Sequence, residues 1–217
     1  MSKVIILRPE PGASATLARA KAAGIEALCC PLFEVVPVPW VVPDAREFDA
    51  LVITSANAAR HGGSGLAALS GLPTYCVGDV SAEAALDAGL KVVAFGPAGA
   101  AALIKQVPAG LRLLHLAGAD HRETPGITAI AVYDSRVIDP PPPLGALHGG
   151  VAMVHSPRAG KRLAELISER GDIAIAAISD AAADACGDGW RKVAAIRAPA
   201  DGALLALANE LCQDQGR

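Results

Sequence analysis

Lys3-Val-Ile-Ile-Leu7, then Ser14 and Ala15 to Ala23, then Gly24 and Ile25 to Cys30, form the stretch that decides the fold class. Val4 to Leu7 show no polar alternation, which predicts a strand buried on both faces. Ser14 is an N-cap residue type in front of an alanine-rich segment, and Gly24 follows it as a helix stop. Strand, helix and strand in that order form a β-α-β unit, and the pattern continues along the chain. Further strands are expected near Ala50 to Thr54, Thr74 to Val77, Leu90 to Ala94, Arg112 to Leu116 and Thr128 to Tyr133. Beyond the proline run Pro140 to Pro143 come Val151 to Val154, Ile173 to Ala177 and Lys192 to Ile196, and a last helix from about Gly202 to Cys212. Apolar strands separated by helices predict an α/β protein with parallel sheets covered on both faces.

An internal repeat divides this pattern in two. Thr54-Ser55 and His155-Ser156 lie 101 positions apart, and the same offset carries Val77-Gly78-Asp79 onto Ile178-Ser179-Asp180 and Ser81-Ala82 onto Ala182-Ala183. With slips of a residue or two, Gly89 meets Gly189 and Pro97 meets Pro199. So long a period suits two similar domains rather than a solenoid. Leu32 to Pro39 and Val132 to Asp139 are extended, β-branched segments that run into prolines, as chain crossings between domains would. The expected organisation is a discontinuous domain of residues 1–35 and 139–217 and an inserted domain of 39–133. Residues 36–38 and 134–138 would form a two-stranded connector beside a cleft.

Composition narrows the function. A net charge of -3 with scattered Lys and Arg offers no stripe for a phosphate backbone, and an aromatic content of 3% offers no stacking platform, so nucleic acid is not an expected partner. No apolar run is long enough to span a membrane, and the expectation is a soluble, cytoplasmic monomer. The five cysteines (Cys29, Cys30, Cys76, Cys186, Cys212) form no Cys-x-x-Cys and are expected to be reduced and inert. The histidines have no ligand spacing, so no metal is expected. Neither a phosphate loop nor Gly-x-Gly-x-x-Gly is present, and His155 beside Ser156 lacks the nucleophile elbow of a hydrolase. Gly62, Gly63 and Gly65 are expected to form a flexible loop, and His121-Arg-Glu123 a solvated one.

Ligands of open parallel sheets bind at the carboxyl ends of the strands, where helix N-termini aim their free N–H groups. Four such ends carry small or hydroxylated residues: Thr54-Ser55-Ala56-Asn57, Gly78-Asp79-Val80-Ser81-Ala82, His155-Ser156-Pro157-Arg158 and Ser179-Asp180-Ala181-Ala182. Each could equally be ordinary capping. Two matching pairs of donor-rich loops, however, suit an anionic ligand. The candidate binding residues are Arg8, Thr54, Ser55, Asn57, Gly78, Val80, Ser81, Ser156, Arg158, Ser179, Ala181 and Ala182. Lys161 is a further source of positive charge. Tyr133, at the end of a strand, is the candidate for chemistry because a phenol there could hydrogen-bond a departing hydroxyl.

Together these motifs resemble the uroporphyrinogen-III synthase family. The resemblance rests on Leu7-Arg8-Pro9, Pro31-Leu32-Phe33-Glu34, Phe48-Asp49-Ala50 leading into Thr54-Ser55-Ala56-Asn57, and Val77 to Ala82. It continues through Val132-Tyr133, Ser156-Pro157, and Ala177-Ile178-Ser179 with Ala183. It implies two α/β domains, no cofactor, and conversion of the linear tetrapyrrole hydroxymethylbilane to uroporphyrinogen III with loss of water and inversion of ring D. It also implies a substrate with eight carboxylates. Helix N-termini, each favouring an anion by roughly 0.3 to 1 kcal/mol, would then outweigh a weak general repulsion that is screened beyond about 8 Å. Two departures stand out: alanine replaces the family's frequent threonine at 182, and Gly118 to Tyr133 is short, with Glu123-Thr-Pro-Gly126 where a helix is usual. Two rival readings are a hinged binding module that captures an anionic metabolite without chemistry, and a nucleotide or sugar-phosphate transferase on the same kind of fold.

Overall fold

The computed structural model describes residues 3–96, 103, 107–121 and 123–214; Pro97 and Arg122, both named above, lie outside them. The chain divides into two units, one of residues 1–34 and 137–217, the other of residues 35–136.

In the first unit β1 (Val4–Ile6), α1 (Gly12–Ala22) and β2 (Ala27–Cys29) form the opening β-α-β. Helix α1 starts two residues before Ser14. The Glu10 carboxylate accepts both the Ser14 amide (3.0 Å) and its hydroxyl (2.8 Å), so Glu10 rather than Ser14 closes the first turn. After the excursion into the second unit come β9 (Val151–Val154), α4 (Pro157–Leu166), β10 (Ala174–Ala177), α5 (Asp180–Asp184), β11 (Lys192–Ala195) and α6 (Asp201–Gln213). The sheet order is β11-β10-β9-β1-β2, and its strands pair in parallel. Alternate residues of β1 enter opposite cores: Ile5 packs with Leu163 of α4 and Ala182 of α5, and Ile6 with Ala20 of α1 and Leu204 of α6. Both faces of the sheet are covered, which is why its strands are apolar throughout.

The second unit contains β3 (Phe33–Pro37, entering from the first unit), β4 (Ala50–Ile53), α2 (Ala56–His61), β5 (Pro73–Val77), α3 (Asp79–Asp87), β6 (Lys91–Gly96), β7 (Leu113–Gly118) and β8 (Ile127–Val137). Its sheet runs β3-β8-β7-β4-β5-β6, with the pairings among β4 to β8 parallel. Leu51 and Ile53 face α2 and α3, whereas Ala50 and Val52 pack with Leu103 and Val107. Of Gly62, Gly63 and Gly65, expected to form a flexible loop, the last two lie in a 3-10 helix, Gly63–Leu69. The Trp40 indole donates to the Gly62 carbonyl at 3.0 Å and its ring closes over Gly65, fastening the turn from outside. Between β7 and β8 the described residues 119–121 and 123–126 form turns rather than a helix.

The offset of 101 holds at the level of elements. Adding it to Ala50–Ile53, to the starts of α2 and α3 at Ala56 and Asp79, and to the start of β6 at Lys91 gives Val151–Val154, Pro157, Asp180 and Lys192. The repeat is also permuted. The parallel pair that completes each sheet comes first in one unit, as β1 and β2, and last in the other, as β7 and β8.

Candidate functional site

The strand-to-helix turns begin alike. Ser55, Ser156 and Ser179 all have extended backbone, and each hydroxyl caps its helix by accepting an amide, from Asn57 (3.3 Å), Ala159 (3.1 Å) and Ala182 (3.3 Å) respectively. Gly78 takes the equivalent place before α3 with φ +76°, a conformation that favours glycine and leaves no side chain over the turn. Capping is therefore real at three of the four loops and occupies some of the amides on which an anion would rely. The amides of Ala56, Asp79, Ser81, Asp180 and Ala181 have no hydrogen-bond partner among the described residues and remain as donors. Val80, whose side chain is exposed, has its amide turned to the Asp79 carboxylate at 2.9 Å.

In the first unit the candidates gather along adjacent strand ends: Arg8 beyond β1, Ser156 and Arg158 beyond β9, Ser179, Ala181 and Ala182 beyond β10. The Arg158 guanidinium lies 4.7 Å from the centre of the Phe33 ring, a cation-π contact that holds the arginine against the surface. Ala182 is fully buried, its amide on Ser179 and its side chain in the core beside Leu163 and Cys186.

Arg8 is part of a network that sequence reading missed. Its Nη1 donates to Asp201 Oδ1 at 2.9 Å, and the same carboxylate accepts from Thr16 Oγ1 (2.8 and 3.0 Å), Arg19 Nε (2.9 Å) and Nη2 (2.6 Å), and His155 Nε2 (2.8 Å). Burial pushes the Asp201 carboxyl up, but hydrogen bonds from His155, Arg19 and Thr16 overcome it and bring the carboxyl down to about 2. Burial is also the main influence on His155 and lowers it, against the pull of Asp201. An ionised carboxylate only accepts, so His155 Nε2 carries a proton. Thr16 and Arg19 lie 185 and 182 positions from Asp201, and only an acidic residue in the first turn of α6 hints at the arrangement.

In the second unit Thr54, Ser55 and Asn57 lie beyond β4, Gly78, Val80 and Ser81 beyond β5, and Tyr133 lies level with Gly118 at the end of β7. A Cβ on Gly118 would stand 2.8 Å from the Tyr133 Cζ and 3.0 Å from its hydroxyl, so the phenol rests directly on that glycine. The His61 ring lies 6.5 Å from the Tyr133 ring between centres. Thr54 Oγ1 and His115 Nε2 are 2.9 Å apart, the His121 ring stands edge-on to that of His115 at 6.3 Å, and His121 Nδ1 lies 2.9 Å from the Gly118 carbonyl. Burial lowers His115, with a smaller push from His121, and burial lowers His61. Absence of ligand spacing hid these histidines, because register rather than sequence distance brings His115 and Thr54 together. Among the described residues no group of three metal-ligating side chains occurs, and no helix is long and apolar enough to cross a membrane. The five cysteines are free, and burial raises Cys29, Cys30, Cys76 and Cys186.

Duplicated parallel α/β units whose strand ends carry capped helix starts define a class of two-unit α/β proteins. The family model for uroporphyrinogen-III synthase HemD matches residues 14–125, just over half of the chain. The chain belongs to the uroporphyrinogen-III synthase family and is an enzyme of heme biosynthesis. Among solved structures it is similar to a uroporphyrinogen-III synthetase from Helicobacter pylori 26695, with a TM-score of 0.68 and 16% identity, covering 97% of this chain and 100% of that one. A mutant uroporphyrinogen III synthase from the extremely thermophilic bacterium Thermus thermophilus has a TM-score of 0.53 and 17% identity, covering 98% and 100%. These likenesses establish the fold. Among curated proteins, none matches this sequence.

Proposed function

We propose that the chain is a lyase that closes hydroxymethylbilane into uroporphyrinogen III, with inversion of ring D and loss of water. The observation that supports this most is the family match, which spans the Thr54 to Asn57 and Gly78 to Ala82 loops. The strand-end amides and the Arg8 and Arg158 guanidiniums supply donors for substrate carboxylates, and the substrate is confined more than it is chemically attacked. Tyr133 donates a proton to the terminal hydroxyl, which departs as water, and the nitrogen of the same pyrrole ring gives up its proton, so that the phenol is restored. The electrophilic azafulvene left behind is attacked by ring D at its substituted carbon, giving a spiro intermediate that rearranges to the type III skeleton. The His61 ring, which burial lowers, lies 6.5 Å from that of Tyr133.

The deciding experiment supplies the protein with freshly generated hydroxymethylbilane and separates the oxidised porphyrin isomers. Type III porphyrin is expected. Type I alone, the product of closure without inversion, overturns the proposal and is what a binding module without chemistry would leave.

A further inference from the structure

Arg8 spends one N–H on Asp201 and has no other hydrogen-bond partner among the described residues, while about a third of its side chain (31%) stays exposed. Four guanidinium N–H groups are therefore left for a planar bidentate acceptor such as a carboxylate. Two contacts fix that guanidinium in place. Asp201 is anchored without Arg8, because Thr16, Arg19 and His155 hold both of its oxygens. Gly12, the first residue of α1, lies directly under the guanidinium: a Cβ there would stand 2.6 Å from both Cζ and Nη2 of Arg8. Contacts that short do not occur, so any side chain at position 12 moves the guanidinium off its seat and strains its bond to Asp201. The displaced group is the far end of a flexible side chain, so the fold itself has little to lose. Gly12 has no positive φ, and a helix start does not otherwise demand glycine.

We propose that Gly12 and Asp201 are positioning residues which seat the Arg8 guanidinium at the carboxyl end of β1 as a receptor for one carboxylate of the substrate. This rests on the synthase reading and on the role given there to Arg8. The test is a double-mutant cycle read in the hydroxymethylbilane assay. Gly12→Ala is expected to raise KM about fivefold to tenfold with kcat within about twofold and the melting temperature nearly unchanged. Arg8→Ala should match it. The double variant should be no worse than Arg8→Ala alone, because the methyl group added at position 12 then has nothing to displace. If Gly12→Ala proves too unstable to assay, the double variant still decides, since the same KM as Arg8→Ala is required of it. An unchanged KM in Gly12→Ala or in Arg8→Ala, or single effects that multiply in the double variant, overturns the proposal while type III product from the wild type leaves the synthase reading standing. Type I product from the wild type removes the reading itself.

Discussion

His155 and Thr54 occupy equivalent places in the two units, one residue before a capping serine and 101 positions apart, and their surroundings have little in common. His155 donates to a partly buried carboxylate that also holds two arginines, whereas Thr54 pairs with an imidazole whose charged form burial disfavours. By register, Leu113 beside Ala50 corresponds to Val4 beside Val151, so the residue equivalent to Arg8 is the buried Ala117. One backbone plan thus carries a charged polar network in one copy and an uncharged one in the other. Backbone geometry repeats because it depends on caps and apolar alternation, which tolerate many residue types. Side-chain networks do not repeat, because each needs its own set of partners from distant segments.

The comparison breaks most sharply at Tyr133, which has no equivalent role in the first unit. Tyr133→Phe is expected to lower kcat about a hundredfold, within the range for a single proton-donating group, with little change in urea midpoint. An unchanged kcat would remove the phenol from the mechanism. Asp201→Asn should cost about 2 kcal/mol of unfolding free energy, between a buried and a surface ion pair, because it leaves two partly exposed arginines facing a group that can no longer neutralise them, and urea titration measures it directly. A loss of only a few tenths would mean that the charged network contributes no more than a surface pair.

Acid sharpens the same contrast. Asp201 is held at about 2, below its ordinary 3.8, so its contribution is complete above pH 4 and disappears as pH falls toward 2. His155, His115 and His61 are lowered in the fold, so the unfolded chain takes up protons first and stability declines as pH drops below about 6.5. The urea midpoint should therefore fall in two stages, and Asp201→Asn should flatten the lower one while steepening the upper, because His155 loses the partner that pulls against burial. The exposed Asp49, brought to about 2 by Arg112, adds a share that salt should screen away.

Smaller effects probe the caps and the packing around them. Ala182→Thr, which restores the hydroxyl frequent in the family, is expected to destabilise by about 1 to 3 kcal/mol, because the side chain is fully buried in the core that α4 and α5 share. Restored stability or raised activity would show that the site reaches this residue. Ser156→Ala and Ser55→Ala should each cost about 1 kcal/mol, measured by urea midpoint, with modest effects on turnover because neighbouring amides remain. Complete loss of activity from either would contradict a donor set built mainly from backbone.

Much of this was legible in the chain. Val4 to Leu7, Ala50 to Ile53 and Val151 to Val154 announce buried strands because covering both faces leaves no position for polar residues, and the serines at 55, 156 and 179 mark helix starts because few side chains can accept a first-turn amide. Ser14 misled, since Glu10 reaches forward to close the first turn, a contact that residue type alone does not specify. The glycines at 62, 63 and 65 suggested mobility, but Trp40, more than twenty residues earlier, fastens them. Asp201 drew no notice because its partners Arg8 and Thr16 lie 193 and 185 positions away.

The order of apolar and small polar residues determined the class of fold, the repeat and the rows of capped helix starts, since all of these follow from contacts within a few positions along the chain. Only the tertiary structure decided that Arg8 meets Asp201, that Tyr133 rests on Gly118, and that His115 meets Thr54. Those contacts depend on strand order and register, which bring together residues that no local pattern connects.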